Sequence, residues 1–263
     1  MNKILTGALL LLFSSSAAAQ TPRDSIAFAT AQWRTADLGG GAECRYAQID
    51  MFGSRQSISV ATYPGRRFTT SIVHLDRRAE STSDLGKAAG AEIVLLDRKI
   101  VGRTTPEEAF RTNGVIAFKD RKGRRMEIFP CDTTQYADVA RRYRSALAAG
   151  PVLIDGGKVV EYTSGSSFYT RRHPRTLIGK RADGTVVMAV IDGRFKGQGD
   201  GATIAETAYI ARQLGLTEAL NLDGGGSSTL WTAQEGVLNH PYDNRRFDHE
   251  GERGVPNCIV VRR

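Results

Sequence analysis

The sequence predicts an α+β fold, namely a single domain with a mixed or antiparallel sheet and a few packed helices. The chain has 263 residues, enough for one large domain, and no linker, repeat or low-complexity tract divides it. Short apolar or alternating runs recur throughout, and several are paired across tight turns, as antiparallel hairpins require. Only a few segments have the apolar spacing of a helix.

The first twenty residues have the layout of a secretory signal peptide. Lys3 precedes an apolar run over residues 4–13, and small residues follow up to Ala17-Ala18-Ala19. This run is too short to cross a bilayer, which needs about 20 residues, and no later run is long enough. We therefore expect a signal peptide over residues 1–19, a domain over residues 20–263, a periplasmic or secreted location and no membrane span.

The first half predicts mainly strands. Apolar alternation and turn residues place strands at residues 27–47 (as strand, turn, strand), 57–61, 68–75, 115–118 and 126–129, the last two forming a hairpin. Helical spacing predicts a helix over residues 138–147, and Ser83-Asp84-Leu85 is typical of a helix start.

The second half is more regular. Strands are predicted at residues 151–154, 175–180, 186–191, 219–222 and 258–261. Residues 175–180 and 186–191 flank the turn Ala182-Asp183-Gly184 and therefore predict a hairpin. An amphipathic helix is predicted over residues 202–214, with Gly215 as its C-terminal cap.

The segment Asp223-Gly224-Gly225-Gly226-Ser227 is the most informative feature of the sequence. Three consecutive glycines permit positive φ angles, so their backbone amides can converge on one point and bind an anion. An acid just before them, at the end of a buried strand, would be held beside that anion. The alternative is an ordinary tight turn with an aspartate cap.

Other polar residues near strand and helix ends have two interpretations each. Asp192-Gly193-Arg194 could pair a working acid with a phosphate-binding guanidinium, or form a surface ion pair in a turn. Glu206 could be catalytic or could favour a helix N-terminus. The polar region with Asn239, Asp243, His249, Glu252 and Arg253 could be a functional lid or a solvated loop.

The cysteines and the net charge say little about the function. Cys44, Cys131 and Cys258 permit one disulfide in an oxidising compartment or three unpaired thiols, and their spacing does not suggest a zinc site. The net charge of +8 weakly favours anionic partners. A nucleic-acid partner is not expected, because aromatic residues do not alternate with the basic runs as base stacking requires.

Taken together, several segments resemble the phosphodiester glycosidase family over roughly residues 45–263. The specific ones are Arg175-Thr176-Leu177-Ile178-Gly179, Asp192-Gly193-Arg194, Glu206, Asn221-Leu222-Asp223-Gly224-Gly225-Gly226-Ser227-Ser228 and Gly251-Glu252-Arg253-x-Val255-Pro256-Asn257. Weaker ones are Thr82-Ser83-Asp84-Leu85-x-Lys87, Thr112-Asn113-Gly114-Val115 and Ala149-Gly150-Pro151-x-Leu153. The resemblance implies cleavage of the C1–O bond of a sugar-1-phosphodiester, which leaves a phosphomonoester.

The resemblance also implies roles for particular residues. The catalytic candidates are Asp223, Asp192 and Glu206, with Asp223 nearest the reaction and Asp192 orienting substrate or water. The substrate-binding candidates are Arg175, Arg194, Asn221, Gly224, Gly225, Gly226, Ser227 and Arg253. A separation of the two aspartates of about 5 Å would favour retention at C1, and about 6.5–9.5 Å inversion. No cofactor or metal is required, although a divalent cation on these acids is conceivable.

Two functions from different classes stay open at this point. One is a hydrolase acting on a glycosyl phosphodiester of an exopolysaccharide or envelope glycan. The other is a non-catalytic module that binds an anionic glycan or associates with the envelope. The complete downstream motifs favour the hydrolase. The binding module is favoured by the absence of an Asn-Gly-x-x-Phe segment, which the family carries after the position of Gly90-Ala91.

Overall fold

The computed structural model describes residues 21–75, 79–88, 93–96, 111–120 and 122–263. The predicted signal peptide lies outside these residues, as do residues 89–92 around Gly90-Ala91. No helix in the described part of the chain is long and apolar enough to span a membrane.

An antiparallel sheet of eight strands forms the central layer. In spatial order its strands are β1 (Arg34–Gly39), β2 (Ala42–Met51), β3 (Ser54–Pro64), β12 (Thr185–Ile191), β11 (Arg175–Lys180), β13 (Glu218–Asn221), β9 (Val152–Asp155) and β10 (Lys158–Val159). The predicted hairpin is present, since β11 pairs with β12 from Arg175 opposite Ile191 to Lys180 opposite Val186.

Two smaller antiparallel sheets accompany the central one. The first contains β15 (Gly236–Val237), β14 (Leu230–Thr232), β5 (Ile93–Leu96), β16 (Asn257–Arg262) and β4 (Thr69–His74). The second contains β7 (Met126–Pro130), β6 (Gly114–Phe118) and β8 (Ser145–Ala149). The α-helices among the described residues are α1 (Pro22–Ala29), α2 (Thr82–Ala88), α3 (Tyr136–Arg142), α4 (Ser167–Thr170) and α5 (Ile204–Gln213). The predicted α+β class with antiparallel strands is therefore confirmed.

The central sheet is buried on both faces. In β12, Val186, Met188 and Val190 pack toward the two smaller sheets. The intervening Val187, Ala189 and Ile191 pack in the core that contains residues of α1 and α5. Successive strand residues point to opposite faces, so a strand covered on both sides is apolar throughout. This layered core fixes the strand ends that carry the candidate site.

Two predicted elements differ from the structure. The helix expected over residues 138–147 ends at Arg142, because Tyr143 is extended and β8 pairs with β6, which buries Leu147. Residues 27–29 belong to helix α1, which starts with a capping box on Thr21 and a proline in its first turn. The strand pair that was expected over residues 27–47 begins only at Arg34.

The disulfide that the sequence permitted is absent. Cys44, Cys131 and Cys258 are all buried and unpaired. Each lies within a packed core cluster, so burial and not cross-linking accounts for their positions.

Candidate active site

The triple glycine forms a tight corner directly after strand β13. A short 3₁₀ turn covers Gly225–Ser227, and Gly225 has a φ of +66° that only glycine adopts without strain. A Cβ on Gly226 would meet the ends of the Asp243 and Arg253 side chains, so a larger residue there would displace that ion pair. We call this turn the glycine corner (residues 223–227).

The backbone amides of the corner differ from the predicted cradle in one respect. The amide of Gly225 donates to the carbonyl of Pro174 at 3.0 Å, so it points into the protein. The predicted convergence of three glycine amides is wrong for Gly225. Only the amides of Gly224 and Gly226 are left as candidate donors to a ligand.

Two arginines border the glycine corner. The Nη2 atom of Arg194 lies 3.3 Å from the position that a Cβ on Gly225 would occupy. The Arg253 guanidinium packs against Gly226 in the same way. The acid at the lip of the corner, Asp223, is partly exposed. The structure thus brings together three residues that the sequence singled out from separate segments.

Arg194 has an unusual backbone conformation. It directly follows the buried strand end at Asp192-Gly193 and has a φ of +69°, which is uncommon for a residue with a side chain. Its exposed guanidinium lies 5.1 Å above the ring of Tyr242. Such backbone strain persists where surrounding structure imposes it, and it is frequent at functional sites. The result is a solvent-facing cation aimed at the corner.

Arg253 is held by a forked ion pair. Its Nε and Nη2 atoms each donate to one carboxylate oxygen of Asp243, both at 2.6 Å. These hydrogen bonds raise the pKa of Arg253, burial acts in the opposite direction, and the charges of Asp243 and Asp223 raise it further. Asp223 therefore lies close enough to Arg253 to interact with its charge.

Asp192 faces the interior, and all of its acceptor positions are used. Oδ2 accepts from Ser57 Oγ at 2.6 Å and from His240 Nδ1 at 2.9 Å. Oδ1 accepts from Asn239 Nδ2 at 3.1 Å and from the backbone amide of His240 at 2.9 Å. A carboxylate has about four lone-pair sites. The sequence suggested that Asp192 orients substrate or water. Asp192 is only 1% exposed, so it cannot contact either of them directly.

His240 is the partner that sequence reasoning missed. Its ring stacks on Phe247 with centroids 3.7 Å apart and planes 6° apart, and it is 9% exposed. Because a carboxylate only accepts hydrogen bonds, the contact with Asp192 places the proton on Nδ1 and leaves Nε2 available to a ligand. A lone histidine in a polar loop carries no sequence signal for this contact.

Asn239 connects the acid to the glycine corner. Its side-chain amide donates to Asp192 and to the carbonyl of Ser228 at 3.0 Å, while its oxygen accepts from the amide of Leu230 at 2.8 Å. This side chain is fully buried. The sequence placed Asn239 only in a polar region, and the structure makes it the link between two strand ends.

Four of the predicted site residues are buried and are not presented to solvent. Arg175 is 2% exposed and donates to the carbonyls of Ala202, Phe168 and Arg171, and its burial lowers its pKa to about 10. Glu206 caps α5 through Thr203 and pairs with Arg172 at 2.6 Å. These contacts are all internal. Arg175 therefore does not bind the phosphate as expected, and Glu206 is not the expected catalytic acid.

The other two are Asn221 and Ser227, which are also buried. Asn221 donates to the carbonyls of Gly150 and Leu222 at 2.9 and 2.8 Å, so it holds the end of β13. Ser227 is 0% exposed in the turn itself. Neither side chain is presented to solvent as a substrate-binding group would be.

The weaker upstream motifs support the site from a distance. Ser83 donates to Glu252 from its amide at 3.0 Å and from its hydroxyl at 2.6 Å, which joins α2 to the segment carrying Arg253. Asn113 accepts from the amide of Val152 at 2.9 Å, beside the Gly150 that holds Asn221. These segments therefore order the loops around the glycine corner.

The corner carries two guanidinium groups, of which Arg253 is paired with Asp243 and Arg194 is exposed to solvent. Within the described ranges, no group of three histidine, cysteine, aspartate or glutamate side chains is placed to hold a metal. The acid at the lip, Asp223, is instead next to Arg253, and Arg194 borders the same turn. Guanidinium groups are suited to forked phosphate contacts.

Comparison with known proteins gives a family match over most of the chain. The family model described as phosphodiester glycosidase matches residues 75–262. The SPbeta prophage-derived uncharacterized protein YomE of Bacillus subtilis (strain 168) is 38% identical over 90 residues. These are 34% of this chain but only 13% of that protein, so this chain spans a small part of that relative.

Solved structures with the same fold cover most of this chain. A hypothetical protein from Synechocystis matches with a TM-score of 0.65 and 15% identity, over 88% of this chain and 63% of the other. The zebrafish N-acetylglucosamine-1-phosphodiester alpha-N-acetylglucosaminidase catalytic domain, auto-inhibited by its pro-peptide, matches with a TM-score of 0.62 and 14% identity, over 88% of both chains. A putative exported protein from Burkholderia pseudomallei matches with a TM-score of 0.56 and 16% identity, over 80% and 74%. At these identities the matches show the fold alone.

Proposed function

We propose that this chain, which belongs to the phosphodiester glycosidase family, is an exported hydrolase that cleaves the glycosidic C–O bond of a sugar-1-phosphodiester. The family supports a glycosidase-type activity. One observation carries the choice of substrate: Asp223 stands at a glycine corner bordered by Arg194 and Arg253. We place the protein in the periplasm or outside the cell, acting on an exopolysaccharide or envelope glycan.

The phosphodiester is bound at the two arginines in this proposal. The exposed Arg194 contacts one phosphate oxygen, and the amides of Gly224 and Gly226 supply further donors. Arg253 is pre-oriented by its ion pair with Asp243, which offsets its charge, so it offers its remaining N–H groups to the phosphate without the entropy cost of ordering a flexible side chain. Donors fixed before the reaction stabilise the charge that develops on the departing phosphate.

Asp223 supplies the carboxylate at the anomeric carbon. A phosphate leaving group needs little protonation, so the reaction requires one carboxylate near C1 and does not depend on a strong general acid. As the C1–O bond breaks, the electron pair leaves with the phosphate oxygen. Water adds to C1 as the new hydroxyl, and the proton that it gives up is taken by the Asp223 carboxylate and passed to solvent. The stereochemistry of the released sugar distinguishes Asp223 as a base that activates water from Asp223 as a nucleophile.

Asp192 acts indirectly. Its four hydrogen bonds hold His240, Asn239 and Ser57, and Asn239 in turn holds the carbonyl of Ser228 at the glycine corner. We therefore place Asp192 among the residues that position the site, together with Arg175, Glu206 and Asn221. The separation of Asp192 and Asp223 then carries no information about retention or inversion.

The second candidate is a non-catalytic module that binds an anionic glycan. The observation in its favour is the sequence after Gly90-Ala91, which lacks the Asn-Gly-x-x-Phe segment of the family. Binding without turnover at the same arginines would support this candidate.

Product analysis in ¹⁸O-labelled water separates the two candidates. The purified chain without residues 1–19 is incubated with a panel of sugar-1-phosphodiesters. Cleavage of the C–O bond places the label in the sugar hydroxyl, whereas cleavage of the P–O bond places it in the phosphate. Label in the sugar supports the proposal, and label in the phosphate overturns it. Binding with no product on any member of the panel supports the module.

A further inference from the structure

A cleft with a basic wall lies among three turns, which follow strands β3, β6 and β11. Its volume is about 310 Å³, and its walls include Arg66, Arg124, Arg125, Lys180, Asp183 and Gly184. We call it the distal cleft. We propose that the distal cleft is a non-catalytic binding site for an anionic polysaccharide, whose carboxylate or phosphate groups are held by the arginines. This site goes beyond the proposed hydrolysis and does not depend on it.

The distal cleft and the glycine corner lie at opposite ends of strand β12. Gly184, in the wall of the cleft, directly precedes this strand, whereas Asp192-Gly193-Arg194 follows its last residue, Ile191. The strand has seven residues and rises about 3.3 Å per residue, so roughly 20 Å separates its two ends. A sugar unit in the distal cleft therefore does not reach the bond that is broken at the corner.

Two contacts join the three turns to one another. The amide of Gly65, which follows β3, donates to the carbonyl of Gly184 at 3.3 Å. The Nζ atom of Lys180, at the end of β11, donates to the carbonyl of Met126 in β7 at 3.4 Å. The turn between β11 and β12 is thus tied to both of the others, and the walls of the cleft are set before a ligand binds.

The turn between β6 and β7 is held by one carboxylate. Asp120 accepts the backbone amides of Lys122 at 2.8 Å, Arg124 at 3.3 Å and Arg125 at 3.1 Å. The carbonyl of Lys122 accepts the amide of Thr70 in β4 at 3.0 Å, which docks the turn on the neighbouring sheet. The two arginines therefore extend from a backbone that is already ordered.

Three arginines of the cleft are free to bind an anion. Arg66, Arg124 and Arg125 are exposed, and within the described ranges none of them forms an ion pair. Lys180 differs from them, because Glu218 pairs with it at 3.0 Å. Guanidinium groups form forked hydrogen bonds with carboxylate and phosphate groups. The free charge of the cleft thus belongs to its arginines.

The single acid in the described part of the wall is Asp183. Its Oδ1 atom accepts the backbone amide of Thr185 at 2.8 Å, which orders the turn between β11 and β12. One carboxylate offsets only part of the charge of three arginines, so the wall stays positive. Like charges that are gathered without matching acids repel one another, and a polyanion relieves this repulsion.

The composition of the wall distinguishes a polysaccharide from other polyanions. No aromatic side chain lines the described cleft, so nucleic-acid bases have no stacking surface there. In the described part of the chain, the one exposed large apolar side chain is Ile26 in α1, so no apolar anchor for a lipid surface borders the cleft. The volume is at the lower end of the range of about 300–1,000 Å³ for ligand pockets, which fits one unit of a longer glycan.

Dextran and its charged derivatives test the proposal on one sugar backbone. Carboxymethyl dextran, dextran phosphate and neutral dextran are titrated separately into the chain without residues 1–19, and binding is measured by calorimetry. We expect a charged polymer to bind at least about tenfold more tightly than neutral dextran, the scale of one charge-assisted hydrogen bond. The two charged polymers show whether a carboxylate or a phosphate is preferred. Equal binding of all three polymers would overturn the proposal.

Paired variants assign the binding to the distal cleft. Arg66→Gln with Arg124→Gln removes an arginine from each of two turns and should weaken binding of the charged polymer at least about tenfold. Arg66→Lys with Arg124→Lys keeps both charges and should retain most of the binding. Arg23→Gln with Lys158→Gln removes two exposed charges outside the cleft and should change binding by no more than about twofold, since salt screens distant charges. Equal weakening by the two glutamine pairs would reject the cleft.

Two measurements exclude other occupants and other sites. Phosphatidylglycerol vesicles are offered to the same variants. Binding to vesicles that depends on Arg66 and Arg124, without binding to charged dextran, would assign the cleft to a membrane surface and overturn the proposal. Arg194→Ala should leave polymer binding intact, and a loss of binding there would place the polymer at the glycine corner.

The outcome is separable from turnover. Neither charged dextran is a sugar-1-phosphodiester, so neither is a substrate of the proposed reaction. Polymer binding that depends on Arg66 and Arg124, without hydrolysis of any sugar-1-phosphodiester, would uphold the distal cleft and reject the proposed hydrolase. Hydrolysis without polymer binding would do the reverse.

Discussion

The Oδ2 atom of Asp192 lies 2.9 Å from the Nδ1 atom of His240, and this buried contact joins two segments that are 48 residues apart. It fixes the imidazole beside the strand end, and Arg194, two residues further along the chain, borders the glycine corner. The short sequence Asp192-Gly193-Arg194 thus separates a buried carboxylate from an exposed guanidinium.

Replacing Asp192 should destabilise the fold. Asp192→Asn turns an acceptor into a donor facing Ser57, Asn239 and His240, so at least one buried donor loses its partner. We expect a loss of about 2 kcal/mol or more in the free energy of unfolding, measured by urea denaturation. The control is Asp50→Asn, which removes a 76% exposed ion-pair partner and should cost no more than about 1 kcal/mol. Similar losses in both variants would contradict the role assigned to Asp192.

The shape of the corner should depend on Gly226. Gly226→Ala places a methyl group against the Arg253–Asp243 ion pair, so the two side chains must shift. We expect KM for a sugar-1-phosphodiester to rise at least about tenfold, measured by steady-state kinetics. Gly165→Ala is the matched control, since the space around Gly165 is open. If the two variants have the same KM, Arg253 does not depend on the corner.

Arg194 should act on the phosphate. Arg194→Ala is expected to lower kcat/KM for a sugar-1-phosphodiester about tenfold or more, because a charge-assisted contact is lost. An aryl glycoside of the same sugar lacks the phosphate and should be affected less. Lys196→Ala, an exposed neighbour, controls for the loss of one positive charge. Equal losses on the two substrates in Arg194→Ala would count against a phosphate contact.

Protonation of Asp24 should contribute to the loss of folding stability in acid. Burial raises its pKa, but hydrogen bonds from Phe52 and Thr21 outweigh this effect, and the net pKa is below the usual 3.8. A lowered pKa in the folded state stabilises the protein fully above 3.8, and this contribution is lost as the pH falls through the folded-state value. Asp24→Asn should therefore lower stability at pH 6 and reduce the further loss between pH 4 and pH 2. Urea denaturation at several pH values measures both; parallel pH profiles would contradict the role of Asp24.

Local patterns allowed much of the second half to be predicted. The hairpin of β11 and β12, the helix α5 and the strand β13 all follow from apolar spacing and turn residues within each segment. The helix predicted over residues 138–147 was wrong beyond Arg142, because the end of that segment pairs with β6 as strand β8. This contact between distant segments overrides the local helical spacing. The helix α1 was missed although Thr21-Pro22 is a recognisable start.

The candidate site was predictable only in part. The sequence placed Asp223, Arg194 and Arg253 in separate motifs, and the structure brings them to one corner. The sequence could not show that Arg175, Glu206 and Asp192 are buried with internal partners, because burial depends on the packing of whole layers. His240 was missed because its contact with Asp192 is distant in sequence.

The most direct test of the central claim is the turnover of Asp223→Asn on a sugar-1-phosphodiester. The substitution keeps the size of the side chain and removes its charge. We predict that kcat falls at least about a hundredfold, the scale expected when a working carboxylate is lost. A variant that folds normally and turns over the substrate at the wild-type rate would contradict the account.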